Sequence, residues 1–158
     1  MASKTTTQLK STRDFTNVLD SIHNKNNVQR ITATGAFTMA DDTTMVSLAI
    51  DGAMTTTMPA AKVGRNIRVL WEVEQATNDR VFTCAGSDTF AGNINAFVEA
   101  SGDSTADTIA IANTIVAITF VDDVNIGSYV DFQCVSDGLW LTTAHLVLDA
   151  IGNVPTLA

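Results

Sequence analysis

The chain has 158 residues and a formal net charge of −8, and its charged residues are divided unevenly along the sequence. Residues 1–30 carry a charge of +3, whereas residues 31–158 carry −11. The acidic part argues against nonspecific binding of nucleic acid, which needs lysine and arginine to replace phosphate counterions. No apolar run approaches the roughly 20 residues of a membrane-spanning helix. Two cysteines are too few for a disulfide framework.

The charge asymmetry predicts a basic N-terminal arm, residues 1–30, and an acidic body, residues 31–158. Within the arm, four apolar residues recur at the spacing of one helical face: Phe15, Val18, Leu19 and Ile22. The short amphipathic helix that they predict is marginal on its own in water. It therefore packs either on its own body or on a partner, and the sequence leaves both open.

From Val28 onward the apolar residues recur with a period of two. The alternation is clearest in Thr44–Ile50, Asn66–Val73 and Tyr129–Val135, and it predicts half-buried antiparallel strands. With turn residues between the segments, about eight to ten short strands are expected. The predicted fold is therefore mainly β: an antiparallel β-sandwich or jelly-roll-like body with an extended N-terminal arm that carries the short helix.

Three local patterns give more detailed expectations. Asp137-Gly138 predicts a hairpin with a type I′ turn, because Asp-Gly supplies positive φ angles. The β-branched stretch Ile109–Val121 predicts one strand buried on both faces, or two short strands split near Asn113. The sequence from Gly64 to Trp71 is loosely echoed by the sequence from Gly127 to Cys134, since in each a glycine precedes an alternating strand.

The same alternation indicates which large or reactive side chains are buried. Trp71 shares a face with Ile67 and Val69 and is expected in the core. For Trp140 the core is favoured, but the sequence leaves a surface position open. Both cysteines, Cys84 and Cys134, are interpreted as buried free thiols. The methionines between residues 39 and 58 form a surplus of apolar side chains that subunit contacts could use.

No arrangement of residues in the sequence predicts an active site. A paired-carboxylate hydrolase at Glu72 and Glu74 is conceivable, but a cross-strand ladder of charges with Arg68 on the solvated face is favoured. His145 is interpreted as a surface or packing histidine. Aspartate pairs in the turns lack the spacing of a calcium loop. We therefore expect no enzyme, metal or cofactor.

Segments near the C-terminal end resemble the virion proteins of tailed bacteriophages. The resemblance lies in Ile118-Thr-Phe120, Gly127-Ser-Tyr-Val-Asp-Phe132 and Val135-Ser-Asp-Gly-Leu-Trp140, with the earlier glycine turns at Val81–Gly86 and Phe90–Gly92. In that family, such β-sandwiches occur in capsid decoration (cement) proteins and in tail fibres or spikes, commonly as trimers.

The resemblance, together with the basic arm, implies a decoration protein that binds and stabilises the phage head shell. Its expected partner is the major capsid protein, its expected state is a homotrimer, and its expected location is the capsid surface after synthesis in the host cytoplasm. Neither nucleic acid nor membrane is expected as a partner. The residues expected to bind the capsid are Lys4, Lys10, Arg13, Phe15, Val18, Leu19, Ile22 and Lys25. A receptor-binding or adaptor module of a tail fibre is the alternative.

Overall fold

The computed structural model describes residues 27–100, 103–149 and 154–158, and within these ranges the chain forms strands and no helix. The strands are β1 (Asn27–Ile31), β2 (Gly35–Thr38), β3 (Thr43–Leu48), β4 (Met54–Thr57), β5 (Asn66–Trp71), β6 (Arg80–Thr83), β7 (Thr89–Ala100), β8 (Asp103–Ile115), β9 (Ala117–Phe120), β10 (Tyr129–Ser136), β11 (Leu139–Leu148) and β12 (Thr156–Leu157). The protein is mainly β, as predicted. The predicted helix lies outside the described residues, and β1 includes the last residues of the predicted arm.

The strands form two mixed sheets. The seven-stranded sheet has the order β1-β3-β5-β10-β11-β7-β8, and the five-stranded sheet has the order β12-β9-β6-β4-β2. The first six strands alternate between the sheets, so the chain returns to each sheet in the same direction. The neighbours β1/β3, β3/β5, β2/β4 and β4/β6 are consequently parallel.

The prediction of an antiparallel body is therefore wrong for the pairs that the first six strands form with one another, and β11 and β7 are also parallel. Period-two alternation shows which side of a strand is buried, but the direction of the neighbouring strand leaves no trace in it. The antiparallel pairs are β5/β10, β10/β11, β7/β8, β6/β9 and β9/β12.

Side chains from both sheets meet in one hydrophobic core. The Trp71 ring on β5 meets the Phe120 ring on β9 edge-on, with centroids 5.2 Å apart. The ring centroids of Phe82 on β6 and Phe132 on β10 are 5.8 Å apart, which is a second contact between the sheets. Trp71 and Trp140 are both fully buried, which confirms their predicted place in the core. Each buried ring of phenylalanine size contributes about 1.5–3 kcal/mol to folding.

The methionines do not form the apolar surface that the sequence suggested. Met39, Met54 and Met58 are buried in the core, and Met45 is half-buried. Methionine is unbranched and fills irregular gaps in a core. Met45 and Met54 lie on β3 and β4, and Met39 and Met58 lie in the connections that follow β2 and β4. The expectation that this cluster is available for subunit contacts is wrong.

The echo between the two glycine-led segments corresponds to a reciprocal pairing of β5 with β10. The N–H of Gly64 donates to the carbonyl of Cys134 at 3.1 Å, and the N–H of Gly127 donates to the carbonyl of Trp71 at 3.0 Å. Both glycines have positive φ angles, 86° and 87°, which favour glycine. Each glycine turn thus closes the far end of the other segment's strand.

The Asp137-Gly138 hairpin between β10 and β11 is confirmed, but its type I′ turn is not. Gly138 has a φ of 82°, whereas Asp137 is not among the described residues with positive φ. The register shifts between Cys134 and Ser136 beside the turn. The Asp137 carboxylate instead accepts a hydrogen bond from the N–H of Val63 at 3.2 Å, which ties the hairpin to the loop before β5.

The stretch Ile109–Val121 divides into β8 and β9, but the break falls at Val116 and not near Asn113. The two strands belong to different sheets. Burial on both faces is wrong for β8, where Ala110 and Ala112 are exposed. Its isoleucines Ile109, Ile111 and Ile115 face the core, and the residues between them face solvent.

A buried glutamine, Gln75, joins the two sheets. It is fully buried, and its Oε1 accepts a hydrogen bond from Trp71 Nε1 at 3.0 Å. Its Nε2 donates to the carbonyls of Phe120 and Val121, both at 2.7 Å. Its main chain forms a bridge with Val124. One side chain therefore satisfies an indole of the seven-stranded sheet and the carbonyl groups at the end of β9 in the five-stranded sheet.

Replacing Gln75 by leucine should destabilise the protein by about 2–4 kcal/mol, because the buried indole N–H and two carbonyls lose their partner. Urea denaturation followed by tryptophan fluorescence measures the change. Gln133→Leu is the matched control, since Gln133 is exposed, and should change the free energy of unfolding by less than about 0.5 kcal/mol. Equal effects of the two substitutions would contradict the role assigned to Gln75.

Gly92 and Gly35 allow steric overlap to be separated from backbone strain. They have φ angles of 125° and 126°, but a Cβ on Gly92 would overlap the main chain of Thr142 on β11, whereas a Cβ on Gly35 would meet nothing within 4 Å. Gly92→Ala should therefore destabilise the fold at least about 2 kcal/mol more than Gly35→Ala. Equal urea midpoints for the two variants would show that β7 and β11 can move apart at Gly92 without a loss of stability.

Candidate functional site on the outer face of the seven-stranded sheet

The negative charge of the protein lies mainly at the ends of the sheets. Most acidic residues of the described ranges occupy connections between strands: Asp41, Asp42, Asp51, Glu72, Glu74, Asp79, Asp88, Asp122, Asp123, Asp137 and Asp149. The sheet surfaces that face away from the core therefore carry little net charge. We refer to that surface of the seven-stranded sheet as the outer face.

Two ion pairs account for much of the charge on the outer face. Arg68 on β5 forms a bidentate pair with Asp131 on β10, through Nε and Nη2, both at 2.7 Å. This contact raises the pKa of Arg68. Arg30 on β1 contacts Glu72 through Nε and Oε2 at 2.9 Å, and the nearby Ser47 hydroxyl and this guanidinium lower the pKa of Glu72. Charge pairs on a solvated face are confirmed for Arg68 and Glu72, but their partners are Asp131 and Arg30, and Glu74 takes part in neither pair.

A row of stacked planar groups crosses four strands of the outer face. The Arg68 guanidinium lies 4.6 Å from the Tyr129 ring centroid. The Tyr129 ring stacks on His145 with an interplanar angle of 20°, and His145 lies 4.8 Å from Phe97. Phe97 is 41% exposed. His145 is therefore the packing histidine that the sequence suggested, and the row fixes the outward side chains of β5, β10, β11 and β7 relative to one another.

Beside this row is a shallow depression of about 300 Å³. Its lining combines an ion pair, amides and hydroxyls: Thr44, Asn66, Ile67, Arg68, Asp131, Phe132, Gln133 and Thr143. Since the side chains of Ile67 and Phe132 are buried in the core, these two residues reach the depression only with their main chain. The floor is thus the paired backbone of β5 and β10, and polar side chains stand around it.

The outer face of the five-stranded sheet has a different character. Cross-strand partners form two rows of small, uncharged residues: Ala36, Thr55, Val81, Thr119 and Thr156 in one, and Thr38, Thr57, Thr83 and Ala117 in the other. Neighbouring strands are about 4.8 Å apart. These two rows are consequently regular, and none of their side chains carries a charge.

Both cysteines lie in or against the hydrophobic core and are free thiols. Cys134 is buried, as interpreted from the sequence, whereas Cys84 is only half-buried. Burial raises the pKa of both thiols, that of Cys84 to about 12. Within the described ranges no three His, Cys, Asp or Glu residues are placed to hold a metal ion.

The eight predicted capsid-binding residues lie within residues 1–26, which are outside the described ranges. The structure brings together instead Arg68, Asp131, Tyr129, His145 and Phe97, which the sequence did not combine into one site. Their outward positions follow from the alternation of inward and outward side chains in β5, β10, β11 and β7. The missing information was that these four strands are consecutive in the sheet.

Comparisons with family profiles, with curated proteins and with solved structures found no match to this chain. No helix in the described part of the chain is long and apolar enough to cross a membrane.

The raised pKa of Cys84 predicts slow thiol chemistry in the folded protein. With a pKa of about 12, the thiolate fraction at pH 8 is on the order of 10⁻⁴, so labelling by a disulfide reagent should be far slower in native than in urea-unfolded protein. Unfolding releases a thiol with a pKa of about 8.5, so the free energy of unfolding should fall as the pH rises from about 8.5 towards 12. Cys84→Ala should reduce this decline. Rapid native labelling of Cys84 at pH 8 would contradict the burial argument.

Proposed function

We propose that this chain is a non-enzymatic structural protein of a virion: a capsid decoration, or cement, protein that binds the major capsid protein and stabilises the head shell. The observation that carries the proposal is the separation of charge. The first 30 residues are basic, the connections between the strands are acidic, and the sheet faces are nearly neutral. Charge separated in this way suits a protein that attaches by one part and keeps another part solvated.

The body is proposed to be a β-sandwich with jelly-roll-like features. The contacts of Trp71 with Phe120 and of Phe82 with Phe132 support it, because each joins one sheet to the other. Homotrimerisation is part of the proposal and follows from the resemblance to phage virion proteins. The uncharged threonine rows of the five-stranded sheet would suit a subunit contact, since burying them removes no charge from water.

In this proposal the arm attaches the protein to the shell. Its basic side chains attract it to an acidic surface: Lys4, Lys10, Arg13 and Lys25. The apolar face of the predicted helix, which we call the apolar stripe, is buried there: Phe15, Val18, Leu19 and Ile22. Ordering the arm costs backbone entropy. In the proposal this cost is offset by burial of the four apolar side chains, by backbone hydrogen bonds to the shell protein and by several arms per trimer.

The second candidate is a receptor-binding or adaptor module of a tail fibre. The polar depression beside the Arg68–Asp131 pair favours it, because such a surface suits recognition of a soluble ligand. The two functions differ in copy number. A decoration protein approaches the abundance of the capsid protein in purified particles, whereas a fibre module is scarce, and a stained gel of the virion separates them.

Deletion of residues 1–26 tests the arm, because it ends immediately before β1. We expect a melting temperature close to that of the full chain and loss of binding to shells of its own virus in a co-sedimentation assay. A charge variant with Lys4, Lys10, Arg13 and Lys25 changed to Glu leaves the apolar stripe intact and should also bind weakly.

The two variants also distinguish the alternative positions of the arm. If the predicted helix packs on the body as a lid, the deletion lowers the melting temperature or causes aggregation. If the deleted protein still binds shells with unchanged affinity, the arm is not the attachment and the proposal fails.

A further inference from the structure

We propose that the depression on the outer face is a binding site for a neutral saccharide. The site lies between β5 and β10, and its polar groups come from Asn66 and Arg68 on one strand and from Asp131 and Gln133 on the other, with Thr143 of β11 beside them. Its volume of about 300 Å³ is at the lower end of the range of about 300–1,000 Å³ that is usual for ligand sites. This inference does not depend on the proposed binding to the shell.

The hydrogen-bonding groups of the site suit a ligand that carries several hydroxyls. Arg68 uses Nε and Nη2 for Asp131, so its Nη1 remains as a donor without a partner among the described residues. Asn66 uses its Nδ2 to contact the carbonyl of Gly64 at 3.2 Å, which leaves its Oδ1 as an acceptor. The side chains of Gln133 and Thr143 each combine a donor with an acceptor. Both donors and acceptors therefore line the depression, and a hydroxyl can pair with either kind.

The charge of the site argues for a neutral ligand. The guanidinium of Arg68 is already matched by the carboxylate of Asp131 through two bonds of 2.7 Å, so neither group offers an uncompensated charge. The protein as a whole carries a formal net charge of −8, which repels anions. A phosphate, a sulfated glycan or an acidic peptide is therefore disfavoured. The negative charge of the protein does not oppose the binding of a neutral sugar.

The site is also rigid before any ligand arrives. Its floor is hydrogen-bonded backbone, and Arg68 is held by Asp131 on one side and by the Tyr129 ring on another. Tyr129 is in turn stacked on His145. Binding therefore requires little ordering of the protein, which favours affinity for a ligand that makes only a few hydrogen bonds.

The test uses the full chain labelled with ¹⁵N and titrated with maltohexaose, cellohexaose, chitohexaose, dextran and yeast mannan, with heparin as the anionic probe. We expect at least one neutral saccharide to shift the amide signals of residues 66–68, 131–133 and 143. Heparin should leave them in place. The absence of shifts with every neutral saccharide, shifts confined to other residues, or shifts with heparin alone would each overturn the proposal.

The double variant R68D/D131R is the main control, because it keeps an ion pair between the same two strands but exchanges the positions of the guanidinium and the carboxylate. It should retain the melting temperature and bind the saccharide at least tenfold more weakly. If it does not fold, Gln133→Ala and Thr143→Val remove rim groups without touching the ion pair and should each weaken binding about threefold or more. Unchanged affinity in these variants would overturn the site.

Two further measurements keep this proposal separate from the shell-binding proposal. Thr55 lies on the five-stranded sheet, so Thr55→Ala should leave saccharide binding unchanged. Weaker binding by this variant would show that the saccharide does not bind between β5 and β10. If the wild-type protein binds saccharide but not shells, the decoration proposal is wrong and the saccharide proposal stands. R68D/D131R protein that binds shells but not saccharide would show that the two activities use different surfaces.

Discussion

The amide of Gln75 is the point at which the two sheets depend on each other. Hydrophobic contact between the sheets is non-directional, and Trp71, Phe82 and Phe120 could pack in more than one relative position. Gln75 removes this freedom, since its three hydrogen bonds of 2.7–3.0 Å form only when the indole of Trp71 and the carbonyls at the end of β9 lie in one arrangement. In a fully buried place each unmade bond would carry the full desolvation penalty. The position of the five-stranded sheet, and with it the exposure of both outer faces, follows from this arrangement.

Arg80 shows how strongly the apolar pattern controls register. It lies on the inner side of β6 opposite Met54 and Phe120, is 1% exposed, and burial lowers its pKa to about 10. Its Nη2 donates to the carbonyl of Ile50, while Nη1 has no hydrogen-bond partner among the described residues. A slip of one residue would bring Arg80 into water but would also expose Phe82. The guanidinium stays buried because the packing of Phe82 with Phe120 and Phe132 outweighs its desolvation.

The sequence predicts individual strands far better than it predicts their neighbours. Apolar residues recur at every second position of β5 and β10, and this was enough to place both strands and to put Trp71 in the core. The parallel order of β1, β3 and β5 depends on how the loops between the sheets return the chain, and no local pattern records it. The outer-face site was missed for the same reason: Arg68 and Asp131 are 63 residues apart, and only the pairing of β5 with β10 makes them partners.

The position of the charges connects the fold to the proposed functions. A strand with one buried face leaves alternate side chains outside, so the two sheets of the described residues each expose an extended surface. Many acidic proteins cover such surfaces with carboxylates, whereas here the acids stand mainly in the turns and the outer faces carry threonine, asparagine, alanine and paired charges. A neutral surface is cheap to desolvate, and the acidic turns around it maintain solubility and repel anions. The same distribution therefore allows a basic segment to attach to a partner while leaving the outer face of the seven-stranded sheet open to a neutral ligand.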